Sequence, residues 1–377
     1  MSMPTQFKGT AAVLLAFLCI TTASAQAIDP AKGKPSDDGK VVWFDALEVG
    51  VEGQGWSTGL KHPYDRLPAE AEGVVPDPVW GLSHDSAGMC IRFITDSSSI
   101  HARWKLRSGD LAMPHMPATG VSGLDLYAKR DGKWGWIANG RPEKQENEAA
   151  LFKNAPGGPI EYMIYLPLYN GIESLHIGIE PGKSLAKGEA YPESHAKPIL
   201  FWGTSILQGG CASRPGMVYT SIIGRRMLRP TLNLGFSGNG RMDPPLVALI
   251  AKLDVAAYVI DCAPNMSPEE ITERTEPLVK TLREAHPETP IVLVENIEYQ
   301  QSWFSEGKKK SHELKNEVLK AAFDRLIAAG VKNLHYIPGT PLLGSDHEAT
   351  VDGTHPNDLG FLRMADSVEP VLRNILP

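Results

Sequence analysis

Hydrophobic and polar positions change rhythm along the chain near residue 190. From about Val41 to Glu180 the apolar runs are short, often alternating, and bounded by turn residues. Side chains two apart share one face of a strand, so this rhythm predicts strands rather than helices. The predicted strands are Val41–Phe44, Met89–Ile94, Ser99–Leu106, Gly123–Lys129, Trp134–Ala138, Tyr162–Leu168 and Ser174–Ile179. Asp131-Gly132 between two of them is a hairpin signal, because both residues tolerate positive φ. No long segment of helical period lies in this half, which predicts a β-sandwich or jelly roll over residues 41–180.

Residues 181–197 are polar and turn-rich and read as a linker. After them strands and helices alternate. Strands are predicted at Ile199–Phe201, Thr231–Phe236, Val255–Asp261, Ile291–Glu295 and Asn333–Tyr336. Between and after them, helices are predicted at Met217–Leu228, Pro244–Lys252, Pro268–Ala285, Ser311–Ala329 and Asn357–Ile375, the last broken or kinked at Pro370. This alternation predicts an α/β domain over residues 198–377: a parallel sheet with helices on both faces and its crevice at the carboxyl ends of the strands.

Composition narrows the function. Lys and Arg total 37 against 44 Asp and Glu, a formal charge of -7. The chain lacks the basic balance of a nucleic-acid binder. No apolar run is long enough for an ordinary membrane span. Lys8, the apolar run Ala11 to Ile20 and the small residues Ala23-Ser24-Ala25 read as a bacterial signal peptide over residues 1–25. The expected destination is the periplasm or the cell exterior. Removing the leader removes Cys19 and leaves Cys90, Cys211 and Cys262. One disulfide with one buried thiol fits, and so do three isolated buried thiols. Cys211 and Cys262 follow strands expected to be neighbours. No Cys-x-x-Cys or Cys/His cluster at zinc spacing is present, which argues against a metal site.

Candidate chemistry gathers at the predicted strand ends. Ser205 lies in Gly203-Thr204-Ser205, at a strand-to-helix turn that lifts a hydroxyl toward the crevice. A serine nucleophile needs a base. Near the end of the chain stands Asp352-Gly353-Thr354-His355-Pro356, where Asp352 can fix the tautomer of His355 within one turn. Gly238, after the second strand, can offer a backbone N–H, and Asn265, after the third, a side-chain amide. Each residue also has a plainer reading. Ser205 and Asn265 could cap helices, His355 could be a loop histidine, and Asp352 and Gly238 could serve turns.

These four blocks, Ser205, Gly238, Asn265 and His355, resemble in order those of the SGNH, or GDSL-type, hydrolases. Gly123-Leu124-Asp125-Leu126-Tyr127 resembles the Gly-x-Asp-Leu-Tyr mark of a bacterial subgroup with an additional N-terminal domain. The resemblance implies a flavodoxin-like three-layer α/β/α hydrolase domain. It also implies Ser205 as nucleophile, His355 as base and Asp352 as its partner. Ser205, Gly238 and Asn265 would form the oxyanion hole, with no metal or organic cofactor. The third block departs from the usual Gly-x-Asn-Asp, reading Ala263-Pro264-Asn265-Met266, but keeps its Asn. Exported relatives with a jelly roll before this fold are often carbohydrate esterases, which makes an acetylated oligo- or polysaccharide the expected substrate.

Two other readings stay open at this point. One is a general short-chain or lipid-directed esterase, and the other a carbohydrate-binding surface protein with an inactive hydrolase domain. Arg214, Arg241 and Trp303 are candidate substrate-binding residues, although either arginine could simply pair with a carboxylate. Trp134 and Trp136 share a strand face and are expected in the sandwich core. The turn Met113-Pro114-His115-Met116 is a loop that the first domain could lend to the active site.

Overall fold

The computed structural model describes residues 25–377, so the predicted leader lies almost wholly outside the described residues. The N-terminal half is a pair of five-stranded antiparallel sheets. In one sheet Ile172–Ile179 lies between Val42–Asp45 and Ile100–Leu106, with Lys34–Pro35 and Glu146–Phe152 at the edges. In the other, Ile160–Tyr165 is central between Cys90–Thr95 and Leu124–Arg130, with Leu185–Lys187 and Lys133–Gly140 at the edges. Alternate side chains of both sheets meet in one core that includes Phe93, Trp104, Leu124, Leu126, Ile164 and Ile177. The Asp131-Gly132 turn joins Arg130 directly to its partner Lys133, with φ of 51° and 74° at the two turn residues. The edge strand Leu185–Lys187 falls inside the predicted linker and pairs with Phe93–Thr95. Its only strongly apolar residue is Leu185, too weak a pattern to read as a strand.

The C-terminal half carries a five-stranded parallel sheet. Its strands, in chain order, are Ile199–Gly203, Thr231–Gly235, Ala257–Asp261, Ile291–Val294 and Leu334–Ile337. In space they run second, first, third, fourth, fifth, the flavodoxin-like order whose direction of winding reverses beside the first strand. Every residue of the first three strands is buried, because helices cover both faces. Leu200 and Trp202 point to the layer of Pro244–Ile250, Pro268–Ala285 and Glu306–Ala328. Ile199 and Phe201 point to the opposite layer of Tyr219–Met227 and Asp358–Ile375. The last helix runs unbroken through Pro370. Proline there forfeits one backbone hydrogen bond, while Phe361, Met364, Val368 and Leu372 keep both ends of the helix buried. Among the described residues no helix is long and apolar enough to cross a membrane.

The two halves share buried polar contacts. Alternation along Leu124–Arg130 turns Leu124 and Leu126 into the sandwich core and Asp125 and Tyr127 toward the α/β half. Asp125 is fully buried and accepts hydrogen bonds from Arg214 Nη1 (2.8 Å), the Gly216 N–H (2.8 Å) and Trp136 Nε1 (2.7 Å). A Cβ at Gly216 would lie 2.4 Å from the Tyr127 hydroxyl, so only glycine lets the chain approach this closely. Trp136 is therefore not a core residue. It is half exposed, and Trp134 packs beside Tyr127 and Tyr165 on the outer face of the sheet. Cys90, Cys211 and Cys262 are all free and buried, so Cys211 and Cys262 are not bridged.

Candidate active site

Ser205 opens the short helix Ser205–Gln208 at the end of the first parallel strand, where the direction of winding reverses. Thr204 caps this helix with its hydroxyl, and Gly209, at φ 117°, ends it after one turn. The tight turn leaves Ser205 at 7% exposure, with its carbonyl held by the Gly210 N–H (2.8 Å) and the Tyr169 hydroxyl (3.0 Å). Tyr169 belongs to the sandwich half.

The Ser205 hydroxyl lies 2.8 Å from His355 Nε2, and His355 Nδ1 lies 2.7 Å from Asp352 Oδ2. A carboxylate accepts only, so the ring carries its proton on Nδ1 and leaves Nε2 to accept from Ser205. Asp352 Oδ1 also accepts from the backbone N–H groups of His355 (2.7 Å) and Thr354 (3.0 Å). Partial burial favours the protonated acid, but these bonds outweigh it and hold the Asp352 carboxyl below its ordinary value.

The loop that carries Asp352 and His355 is closed on itself and braced from outside. Val351 N–H donates to the His355 carbonyl (2.9 Å), and Gly353, at φ 87°, makes the reversal. The Gly353 carbonyl accepts from the Gln300 N–H (3.1 Å), and the Asp352 carbonyl accepts from Gln301 Nε2 (3.0 Å). Gln300, Gln301 and Tyr169 carry no sequence signal of a role here, because each acts on a backbone carbonyl that folding alone brings within reach.

The loop after the second strand crosses the start of the Ser205 turn. Phe236 N–H donates to the Gly203 carbonyl (3.0 Å), and Ser237 N–H to Gln208 Oε1 (2.9 Å). Gly238 follows, exposed and at φ 71°. Asn265 Oδ1 accepts from the Gly240 N–H (3.2 Å), which ties the second and third blocks together and turns the amide NH2 away from that contact. Under this loop Arg66, buried, donates to the carbonyls of Asn233 (3.2 Å) and Gly235 (2.6 Å). Burial lowers the Arg66 guanidinium to about 10, despite the nearby Asp85 carboxylate.

The remaining predicted residues separate. Arg214 is committed to Asp125 and to the Tyr127 hydroxyl (2.6 Å), which places it in the clamp between the halves. Arg241 lies 3.6 Å from Glu270 and donates to the Gly238 carbonyl (3.3 Å), at the rim of the loop. Trp303 and Phe304 are 69% and 83% exposed, just beyond Gln301, and Trp303 faces the His347 ring at 5.6 Å. The Met113–Met116 turn brings His115 to 5.8 Å from the His355 ring. Cys211 lies near the same ring, where burial raises its thiol to about 12.

The strand order and the four blocks at its carboxyl edge define an SGNH-type α/β/α hydrolase domain. A model of the GDSL-like lipase/acylhydrolase family matches residues 196–373, and one of the GxDLY N-terminus of SGNH-hydrolase-type esterases matches residues 41–185. A GDSL-like protein from Bacteroides ovatus is 37% identical, with a TM-score of 0.84, over 89% of this chain and 98% of that one. The chain therefore belongs to the GDSL-like lipase/acylhydrolase family, in the branch that carries the GxDLY domain. The fold is shared more distantly with a salicylyl-acyltransferase of a tetracycline biosynthetic pathway, at 20% identity and TM-score 0.66 over 94% and 95% of the two chains. It is shared too with a family two carbohydrate esterase from Clostridium thermocellum solved with cellohexaose, at 12% identity and TM-score 0.54 over 77% and 95%. A search of curated proteins finds no match.

Proposed function

We propose that this protein is a serine esterase that removes O-acetyl groups from saccharides. The observation that carries the reading is the continuous chain from Ser205 Oγ through His355 to Asp352, with links of 2.8 and 2.7 Å. His355 Nε2 takes the Ser205 proton as Oγ attacks the ester carbonyl, and Asp352 stabilises the imidazolium. The oxyanion is received by the Ser205 and Gly238 N–H groups and the Asn265 amide. His355 then protonates the departing sugar hydroxyl, leaving acetyl-Ser205. Water, deprotonated by His355, releases acetate and restores the serine.

The saccharide reading is supported by the fold shared with carbohydrate esterases. It is also supported by the exposed Trp303 and Phe304 beside the Gln301 brace, since flat aromatic faces suit the apolar face of a sugar ring. The leader pattern at Lys8 to Ala25 supports export to where such glycans are met.

The test is acetate release from a panel of acetylated polysaccharides, run beside aryl esters of increasing acyl length. Expected is acetate release with a sharp fall beyond short acyl chains. Ser205→Ala lowers kcat by about 10³-fold or more. Strong turnover of long acyl chains with none on glycans would replace the reading by a lipid-directed esterase.

A further inference from the structure

His115, Cys211 and His355 come from three distant stretches of chain and converge on one point. One donor atom of each lies within 4.8 Å of the other two. Two imidazoles and a thiol are the donor set of zinc and other thiophilic cations, and exclude magnesium and calcium, which require oxygen ligands. Tetrahedral zinc holds such donors about 3.5 Å apart, so closure from within 4.8 Å requires a shift of no more than about 1.3 Å. His115 can supply it, being exposed on the Met113–Met116 turn. Cys211 is fixed by its neighbours, since Gly210 N–H and Ala212 N–H are both bonded within the turn after Ser205. His355 already has the outer partner that a metal-binding histidine needs: its Nδ1–H donates to Asp352, leaving the Nε2 lone pair for a cation.

We propose that His115, Cys211 and His355 bind one Zn2+ ion and that this ion switches the esterase off. The inhibitory half of the proposal rests on the catalytic role assigned above to His355; the binding half does not. On binding, the Cys211 S–H bond breaks, its proton goes to solvent, and the thiolate sulfur ligates the ion. His355 Nε2 gives its lone pair to zinc instead of the Ser205 hydroxyl, so the serine loses its base. The fourth position is left to water. The site joins the two halves of the molecule, because His115 belongs to the sandwich and the other ligands to the α/β domain.

Binding is measured by titrating the chelator-stripped, full-length enzyme with Zn2+ in a calorimeter and, separately, with Co2+ in a spectrophotometer. Expected are one ion per chain, a thiolate-to-cobalt absorption band and no response to Mg2+. His115→Ala and Cys211→Ser weaken Zn2+ binding by about tenfold or more, and Cys211→Ser abolishes the band. The aryl acetate activity that each variant shows in chelator resists Zn2+, whereas the wild-type enzyme is inhibited and recovers when chelator is added. Ser205→Ala binds Zn2+ as the wild type does, so the site is tested even if the catalytic reading fails. Absence of the cobalt band, or zinc affinity unchanged in both variants, overturns the proposal.

Discussion

At the scale of single residues, the site depends on how well one carboxylate is held. Asp352 receives three hydrogen bonds, two from backbone N–H groups and one from the imidazole. Its pKa is lowered, so it stays ionised until the pH falls through that depressed value, and its support of His355 is lost only below it. Asp352→Asn replaces an acceptor-only group by one that can turn an N–H toward His355 and select the wrong tautomer. We predict a fall in kcat of about 10³-fold with a nearly unchanged KM for an aryl acetate; steady-state kinetics decides. The grouping of Ser205, Asp352 and His355 was legible in the sequence because the last two lie three residues apart and Ser205 stands just after the first strand of the α/β domain. Tyr169, Gln300 and Gln301 were not, since each acts through a backbone carbonyl of a distant segment, and residue type does not record that.

At the scale of elements, the strand Leu124–Arg130 does two jobs by alternation. Its leucines fill the sandwich while Asp125 and Tyr127 grip the segment after the Ser205 turn through Arg214 and Gly216. Burial raises the Asp125 carboxyl despite the ion pair with Arg214. Asp125→Ala would strand the Arg214 guanidinium and leave the Gly216 and Trp136 N–H groups unpaired. We predict a loss of about 3–5 kcal/mol in unfolding free energy, measured by urea denaturation. The alternation of this strand was legible; its second face was not. Trp134 and Trp136 obey the same period and were expected in the core, yet they lie on the outer face. Period two shows which residues share a face, but not what covers that face.

For the molecule as a whole, the halves are joined by charges removed from water. Arg66 stacks on Phe236 at 4.8 Å and feeds the strand end beneath the Gly238 loop, and Asp85 accepts from Gln208 Nε2 (2.9 Å). Burial raises the Asp85 carboxyl from 3.8 to about 6, against the pull of Arg66 and Gln208. Between those values the folded protein keeps a proton that the unfolded chain releases, so stability falls as pH rises through the window. The shift corresponds to about 3 kcal/mol. Asp85→Asn keeps an oxygen for Gln208 and has no proton to lose. We predict that its unfolding free energy, relative to wild type, improves by about that amount between pH 4 and pH 6, followed by urea midpoints across the range.

The sequence alone determined what is local: the hairpin at Asp131-Gly132, the strand–helix alternation after residue 198, the four blocks, and the pairing of Asp352 with His355. Each rests on backbone preference or on side chains a few positions apart. Tertiary structure alone decided what depends on distant segments meeting. It seated Arg214 on Asp125, left Cys211 and Cys262 unbridged, and carried the last helix through Pro370. It also set His115 of one half beside Cys211 and His355 of the other. The physical reason is the same throughout: spacing along the chain fixes periodicity and turns, whereas burial, charge pairing and ligand sets are properties of surfaces that exist only after the chain has packed.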